Sequence, residues 1–368
     1  MVTSPSRRIR IAVAGCGEIA QIMHIPYLKE LNRHFELVAV VDISPSVAQN
    51  VAARYNVPRW YTDYRHMLDQ EQLDALLVAT SHEFHGPITI EALRRGCHVL
   101  VEKPMCLSPQ EGELMVETAR THDRVLMVAY MKRYDPNYLL GQQILSDLKS
   151  RFGAPHFIRV HDFCHHNPTV IADIYDIIRP ADDVPVEASV ERKRLLHDRI
   201  AEALGAGASD DVKNAYLLLL GLASHDMTVI RGLLGDPRAT EYTKIFRQGH
   251  GVGVLTVLDF DGTPCILEIG GSSRTWMEES ITVWYPKATL SIDFPSPYMK
   301  NAETRVILRE LTDDGQTVFS ERIASRDEAF RRELLAFHQA VVEGVQPPTD
   351  GEQGLRDVKF LLEIVLKA

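Results

Sequence analysis

The chain has 368 residues, 45% hydrophobic and 24% charged, which is more than one typical domain and enough apolar material for two sizeable cores. Its 40 basic and 50 acidic side chains leave a formal charge of -10, which argues against a nucleic-acid or anionic-membrane partner. The five cysteines (Cys16, Cys97, Cys106, Cys164, Cys265) are scattered, odd in number and never form C-x-x-C, which fits a reducing compartment better than a disulfide framework, so a cytoplasmic protein is expected.

At the N-terminus, Arg7-Arg8 before Ile11-Ala12-Val13-Ala14-Gly15-Cys16 superficially resembles a lipoprotein signal. Arg10 interrupts the apolar stretch, however, and the segment reads as a first strand entering a glycine turn. Apolar residues at Ile19, Ile22, Met23, Tyr27, Leu28 and Leu31 then have helical spacing. Phe35 to Val41 predicts a strand, Ser46 to Tyr55 a helix, and Ala75 to Ala79 another strand. A helix follows over Pro87 to Arg95, with Gly96 as its C-terminal cap. Strand Val99–Val101, a helix over Pro109–Arg120 and strand Val125–Ala129 complete an alternating pattern. Continuous apolar strands alternating with helices predict a doubly wound parallel sheet covered on both faces, a Rossmann domain over 1–130.

Beyond about residue 150 the pattern changes. His156–Cys164, Gly253–Phe260, Ile266–Gly270, Ile281–Trp284, Thr289–Phe294, Val306–Leu311 and Val318–Ile323 are strand-like, and several alternate in polarity. They predict an α+β domain over 131–350 with a large, mostly antiparallel open sheet. The open face of such a sheet is a common subunit interface, and a homo-oligomer, dimer or tetramer, is expected. Between the first strand and the rest lies a helical stretch, Val186 to Leu234, whose middle, Glu187 to Gly207, is charged, and a helical insertion is expected near 173–215. The apolar run Tyr216–Leu220 is far too short to cross a bilayer. Two late helices, near Arg326–Val342 and 352–366, flank a Pro347-Pro348 turn.

The strongest local signal is Gly15-Cys16-Gly17-Glu18-Ile19-Ala20 between the first strand and helix. Gly15 permits a tight turn, Gly17 lets a pyrophosphate approach the backbone, and Ala20 still allows close helix–strand packing. The positive helix end at Glu18 and Ile19 then faces the phosphates. Asp42, at the end of the second strand, stands where a carboxylate would bind the adenosine ribose. No Arg follows it, so NAD(H) is preferred over NADP(H). The plainer alternatives are an ordinary βα turn and a helix-capping Asp42.

Four segments in order resemble the Gfo/Idh/MocA family, which includes glucose–fructose oxidoreductase and inositol dehydrogenases. They are Gly15-x-Gly17-x-x-Ala20-x-x-x-His24-x-Pro26, Ala79-Thr80-Ser81 with His85, Glu102-Lys103-Pro104, and Tyr130-x-x-Arg133-Tyr134-x-Pro136. The resemblance implies a NAD-dependent dehydrogenase acting on a small polyhydroxylated substrate, a sugar or cyclitol. It implies that Thr80, His85, Glu102 and Lys103 surround the cofactor, that Lys103 also holds the reacting hydroxyl, and that Tyr130 and Arg133 shape the pocket. It also implies that the last helix packs back on the Rossmann domain. The family's D-x-x-x-H aligns with Gly221 to His225, which makes His225 the proton acceptor but places Gly221 where an Asp is expected. That departure keeps two rivals open: redox-neutral cleavage or elimination through a transient keto-sugar, and a non-catalytic NAD-binding regulator.

A further cluster, His161-Asp162-Phe163-Cys164-His165-His166, would divide between the two faces of a strand. His161 and His165 on one face could bind zinc, but no third ligand can be placed, so no metal is expected and His165 is read as a substrate contact.

Overall fold

In a computed structural model the chain is described over residues 7–165, 171, 174–249, 251–272 and 275–368. It divides into two compact units. One comprises Met1–Tyr130, Ala172–Gly207 and Phe330–Val358; the other comprises Met131–Ile171, Ala208–Ala329 and Lys359–Ala368.

The first unit is built on six parallel strands: β1 (Ile9–Ala14), β2 (Phe35–Val41), β3 (Arg59–Tyr61), β4 (Ala75–Val78), β5 (His98–Glu102) and β6 (Leu126–Ala129). Their order is β3-β2-β1-β4-β5-β6, so the strand order reverses between β1 and β4. Every residue of β4 and β6 is buried, as expected for strands covered on both faces. The covering helices are α1 (Ile25–Glu30), α2 (Pro45–Tyr55), α3 (Tyr64–Gln70), α4 (His85–Arg94) and α5 (Pro109–Thr121). Three of them start on a side-chain cap, Ser44, Asp63 and Ser108, whose oxygens accept orphan backbone N–H groups. The short β3 and α3 escape the sequence pattern because β3 is an exposed edge strand of three residues.

The second unit opens with α6 (Pro136–Phe152), capped by Asp135, and carries an eight-stranded sheet. Its strands are β7 (Phe157–His165), β8 (Ala239–Gln248), β9 (Gly251–Phe260), β10 (Thr263–Ser272), β11 (Glu278–Trp284), β12 (Ala288–Phe294), β13 (Arg305–Leu311) and β14 (Thr317–Arg322). All neighbours pair antiparallel except β7 with β10. In β11 and β12 buried and half-buried residues alternate strictly, so one face is core and the other open.

The predicted stretch Val186–Leu234 resolves into α7 (Val186–Leu204), α8 (Asp210–Leu218), a π turn (Leu219–Ala223) and α9 (Ser224–Leu234). It is divided because Gly205, at φ +81°, ends α7 in a conformation only glycine adopts freely. The continuous run Asp210–Leu234 is, against the short apolar stretch read from sequence, long and apolar enough to cross a membrane, but 61% of its apolar window is buried within the fold. A core helix of a globular domain has the same character. Two last helices follow, α10 (Ala329–Glu343) and α11 (Gly351–Leu366). In the first unit the start of α11 sits close on β6: a methyl group at Gly354 would lie 2.6 Å from Val128, and one at Gly351 would lie 2.7 Å from Leu126.

Candidate functional site

The first unit gathers its polar residues at the C-terminal ends of β1, β2, β4 and β5. Gly15 has φ +92°, and its N–H donates to Val41 O at 2.8 Å. A methyl group there would lie 2.4 Å from Ala79 O and 2.6 Å from Thr80 N, so only glycine lets the turn pass the end of β4. At Gly17 an added methyl group would meet nothing within 4 Å. That open cradle lies just before a helical run over 18–30, which contains a π turn (Ala20–His24) and ends as α1. Backbone N–H groups at this helix start suit an anion.

Asp42 follows β2 and joins the two sides of this cradle. One carboxylate oxygen accepts from Cys16 N at 2.9 Å and the other from Ser44 N at 3.0 Å. Burial pushes its pKa up, the two backbone donors oppose that, and the charge of Asp183 adds to it. Each oxygen keeps a lone pair for a ribose hydroxyl. The open cradle at Gly17 and the carboxylate at Asp42 therefore fit the pyrophosphate and ribose of a dinucleotide.

The motif residues further along meet one another. His24 Nε2 lies 2.6 Å from Glu102 Oε1, and the other Glu102 oxygen accepts from Lys103 N at 3.1 Å. Burial raises the Glu102 carboxyl, but the His24 hydrogen bond and charge, with Lys103, outweigh it and hold Glu102 below the ordinary range. Fully buried Glu333 on α10 is pushed well above that range by burial and by Glu102, and so keeps its proton. His85 is fully buried, with Nδ1 2.8 Å from Pro104 O and Nε2 3.1 Å from Thr80 O. Burial lowers its pKa, and a neutral ring can donate to only one of the two carbonyls. His85 and Glu102, which the resemblance places around the cofactor, hold the Thr80 and Lys103 loops through these contacts. The peptide bond between Lys103 and Pro104 is cis. Lys103 is half-buried, and Thr80 Oγ1 donates to Ser81 O at 3.3 Å. Glu18 is paired with Arg179 at 2.9 Å, Ile19 is half-buried, and Tyr130 is a fully buried core residue at the end of this unit.

In the second unit, Arg133 Nη1 donates to Thr228 O at 2.9 Å, tying the start of the domain to α9. His225, 7% exposed, lies in the first turn of α9, directly after the π turn. Such turns recur at functional positions because they shift the side chains that follow them. Gly221 lies within the turn, and a methyl group there would meet nothing within 4 Å. The position has room for the carboxylate that the resemblance expects and the chain lacks.

Next to His225 in sequence is a group that sequence reading did not assemble. Asp162 on β7, Asp226 on α9 and Glu279 on β11 bring carboxylate oxygens within 4.8 Å of one another, and all three residues are buried. Lys132, also buried, forms an ion pair with Glu279. The β-strand alternation at Asp162 carried the only signal for this group; Lys132 and Glu279 lie 147 residues apart in sequence. The three carboxylates are near enough to share a cation, and the Lys132 ammonium already takes one such place. Protons balance the remaining charge. Asp162 is pushed well above the carboxylate range, by burial first and then by Asp226 and Glu279; burial and Glu279 push Asp226 up to about 7. The Asp162 and Asp226 oxygens have no other hydrogen-bond partner among the described residues, a role that a proton between the two carboxyls fills.

This predicts a stability that depends on pH in a definite direction. Asp226 has a folded-state pKa of about 7, above its ordinary value of 3.8, so between these values the folded protein binds a proton that the unfolded chain has released. The stabilisation is complete below the lower value and is lost as pH rises through about 7. The melting temperature is expected to fall between pH 5 and pH 8, by the equivalent of roughly 2–4 kcal/mol, and Asp226→Asn should flatten that fall. A profile that Asp226→Asn leaves unchanged would remove the proton from this cluster.

On the opposite face of β7, His161 Nδ1 pairs with Glu268 at 2.7 Å and its ring stacks on Phe163 at 4.9 Å. His161 is therefore held by a carboxylate. The side chain of His165, and all of His166, lie outside the described residues.

Residues 9–130 match the model of an oxidoreductase family with an NAD-binding Rossmann fold. A D-glucoside 3-dehydrogenase of Escherichia coli is 35% identical over 134 residues, 36% of this chain and 37% of that enzyme. A scyllo-inositol 2-dehydrogenase (NAD(+)) of Bacillus subtilis is 30% identical over 244 residues, 66% of this chain and 57% of the enzyme. The chain thus spans about a third to a little over half of these two relatives. Among solved structures, the 3-ketoreductase KijD10 of Actinomadura kijaniata, in complex with NADP and TDP-benzene, is similar over 98% of both chains, with a TM-score of 0.75 at 20% identity, a likeness of fold.

Proposed function

We propose that this chain, whose residues 9–130 match the NAD-binding Rossmann domain of the Gfo/Idh/MocA oxidoreductases, is a member of that family and oxidises or reduces a secondary hydroxyl of a sugar, sugar derivative or cyclitol. The observation that carries the proposal is the open cradle at Gly17 beside Asp42, at the point where the strand order reverses. Bound there, the nicotinamide dinucleotide supplies the hydride acceptor or donor. Gly15, Gly17, Glu18 and Ile19 hold its pyrophosphate end, Asp42 its adenosine ribose, and Thr80 the loop beside it. NAD(H) is preferred, since a 2′-phosphate meets like charge at Asp42.

Lys103 positions the substrate hydroxyl and stabilises the negative charge that develops on its oxygen as the carbon loses hydride. His225 takes the hydroxyl proton in oxidation and returns it in reduction, a task suited to an imidazole near neutral pH. Arg133 and His165 contribute to the substrate pocket.

Gly221 favours a second reading. Without the carboxylate expected four residues before His225, the chain lacks one substrate contact and has open space in its place. A redox-neutral cleavage or elimination through a transient keto-sugar, with the dinucleotide regenerated in each turnover, fits that change. Purified protein with NAD, offered free sugars, inositols, sugar acids and glycosides, separates the two. NADH accumulating at 340 nm with one class is expected for the dehydrogenase. New products by mass spectrometry without NADH would replace it with the redox-neutral reaction, and failure to bind NAD at all would end both.

A further inference from the structure

The segment after β7 crosses the dinucleotide edge of the first unit, and its polar contacts follow that edge in order. The Gln21 side chain donates to Cys16 O at 2.7 Å and to Ile178 O at 2.9 Å, while its oxygen accepts from Ile178 N at 2.9 Å. Arg179 pairs with Glu18, and Ala181 N donates to Ser46 Oγ at 3.2 Å. Asp183 then reaches the start of α2, where Ser44 Oγ donates to one carboxylate oxygen at 2.6 Å and Ser46 N to the other at 2.7 Å. Beyond it, α7 lies over the turn after β4 and over α5, through Arg192 to Glu83 at 3.3 Å and Ser108 to Glu202 at 2.5 Å.

The donors that Asp183 occupies would otherwise serve a phosphate. They are a serine hydroxyl and a backbone N–H at the start of an 11-residue helix, immediately after the residue that meets the adenosine ribose. Ser44 connects the two carboxylates, with its N–H on Asp42 and its hydroxyl on Asp183. The Ser44 and Ser46 hydrogen bonds hold the Asp183 carboxyl down at about 2, so it stays ionised throughout the neutral range.

Building on the dinucleotide reading above, we infer that Asp183 is a determinant of cofactor specificity: from the segment over the cofactor edge it fills the anion-binding start of α2 and excludes the 2′-phosphate of NADP(H). Asp42 alone repels that phosphate by charge. Asp183 adds a second negative charge and takes the donors that could have compensated for the first.

The test is direct binding of NADH and NADPH, followed by the fluorescence of the reduced dinucleotide, to the full chain and to Asp183→Asn, Asp183→Ala and Asp183→Glu. Asp183 is an incompletely buried polar residue in this segment, so its replacement leaves the core intact. The wild-type protein is expected to favour NADH. Asn and Ala variants should shift the NADPH-to-NADH affinity ratio toward NADPH by about tenfold, as loss of one unit charge a few ångströms from a phosphate near the surface predicts. Asp183→Glu should retain most of the discrimination. A ratio unchanged in both the Asn and Ala variants, with NADH still bound, overturns this inference and leaves the dinucleotide reading standing. A wild-type protein that binds neither dinucleotide overturns both.

Discussion

Replacing Lys103 by alanine is expected to lower kcat by roughly a thousandfold while leaving NADH binding nearly intact, an effect of the size seen when one charged or oxyanion-stabilising group is removed from a reacting centre. The backbone that carries the ammonium is held from several sides. Lys103 N donates to Glu102, Glu102 is fixed by His24, and His85 lies against the carbonyl of Pro104. Glu333 is kept protonated by burial and by the charge of Glu102. Nearby His82 is driven down to about 3, by burial first and then by His85, Lys103 and Arg192, and is neutral at working pH. Lys103 is thus the cation that this loop presents. Arginine at 103 should not restore activity, because a planar guanidinium does not replace a compact ammonium in position or reach. Single-turnover formation of NADH at 340 nm, with NADH affinity measured in parallel, checks the expectation. Activity in Lys103→Ala within tenfold of wild type would take Lys103 out of the chemistry.

The second large effect concerns stability. Lys132→Met is expected to cost roughly 3–5 kcal/mol, because it leaves Glu279 as an uncompensated carboxylate in a core that also holds Asp162 and Asp226. Burial alone would lower the Lys132 pKa; Glu279, Asp162 and Asp226 together outweigh it and keep the ammonium charged. Removing it forces the carboxyls to take up another proton or to admit water. The melting temperature should fall by roughly 10 °C at neutral pH and by less at pH 5, where protons replace the missing charge. The double variant Lys132→Met with Glu279→Leu should recover much of the loss, since replacing both members of a buried pair with apolar groups is often close to neutral. A single variant that melts within 2 °C of wild type would show that Lys132 is not the counter-charge of this cluster.

Sequence by itself determined the architecture around the cofactor. Gly15 and Gly17 between an apolar strand and an amphipathic helix, with Asp42 closing the next strand, have local physical reasons, namely a positive φ, an open backbone and a helix start. The structure reproduces each within the same short stretch. The alternating apolar runs likewise set a parallel sheet in one unit and a mostly antiparallel open sheet in the other, because strand periodicity is a nearest-neighbour property. Tertiary structure alone decided which polar residues meet. His24 and Glu102 are 78 residues apart, Asp183 and Ser44 139, and Lys132 and Glu279 147. No spacing rule links such pairs, and their energetics depend on burial, which periodicity assigns to a face but not to a partner. For the same reason the motifs alone did not show that His85 lies against the carbonyls of Thr80 and Pro104, or that Glu102 meets His24. Asp226, beside His225 in sequence, joins a buried cluster that only the packing of β7, α9 and β11 could assemble.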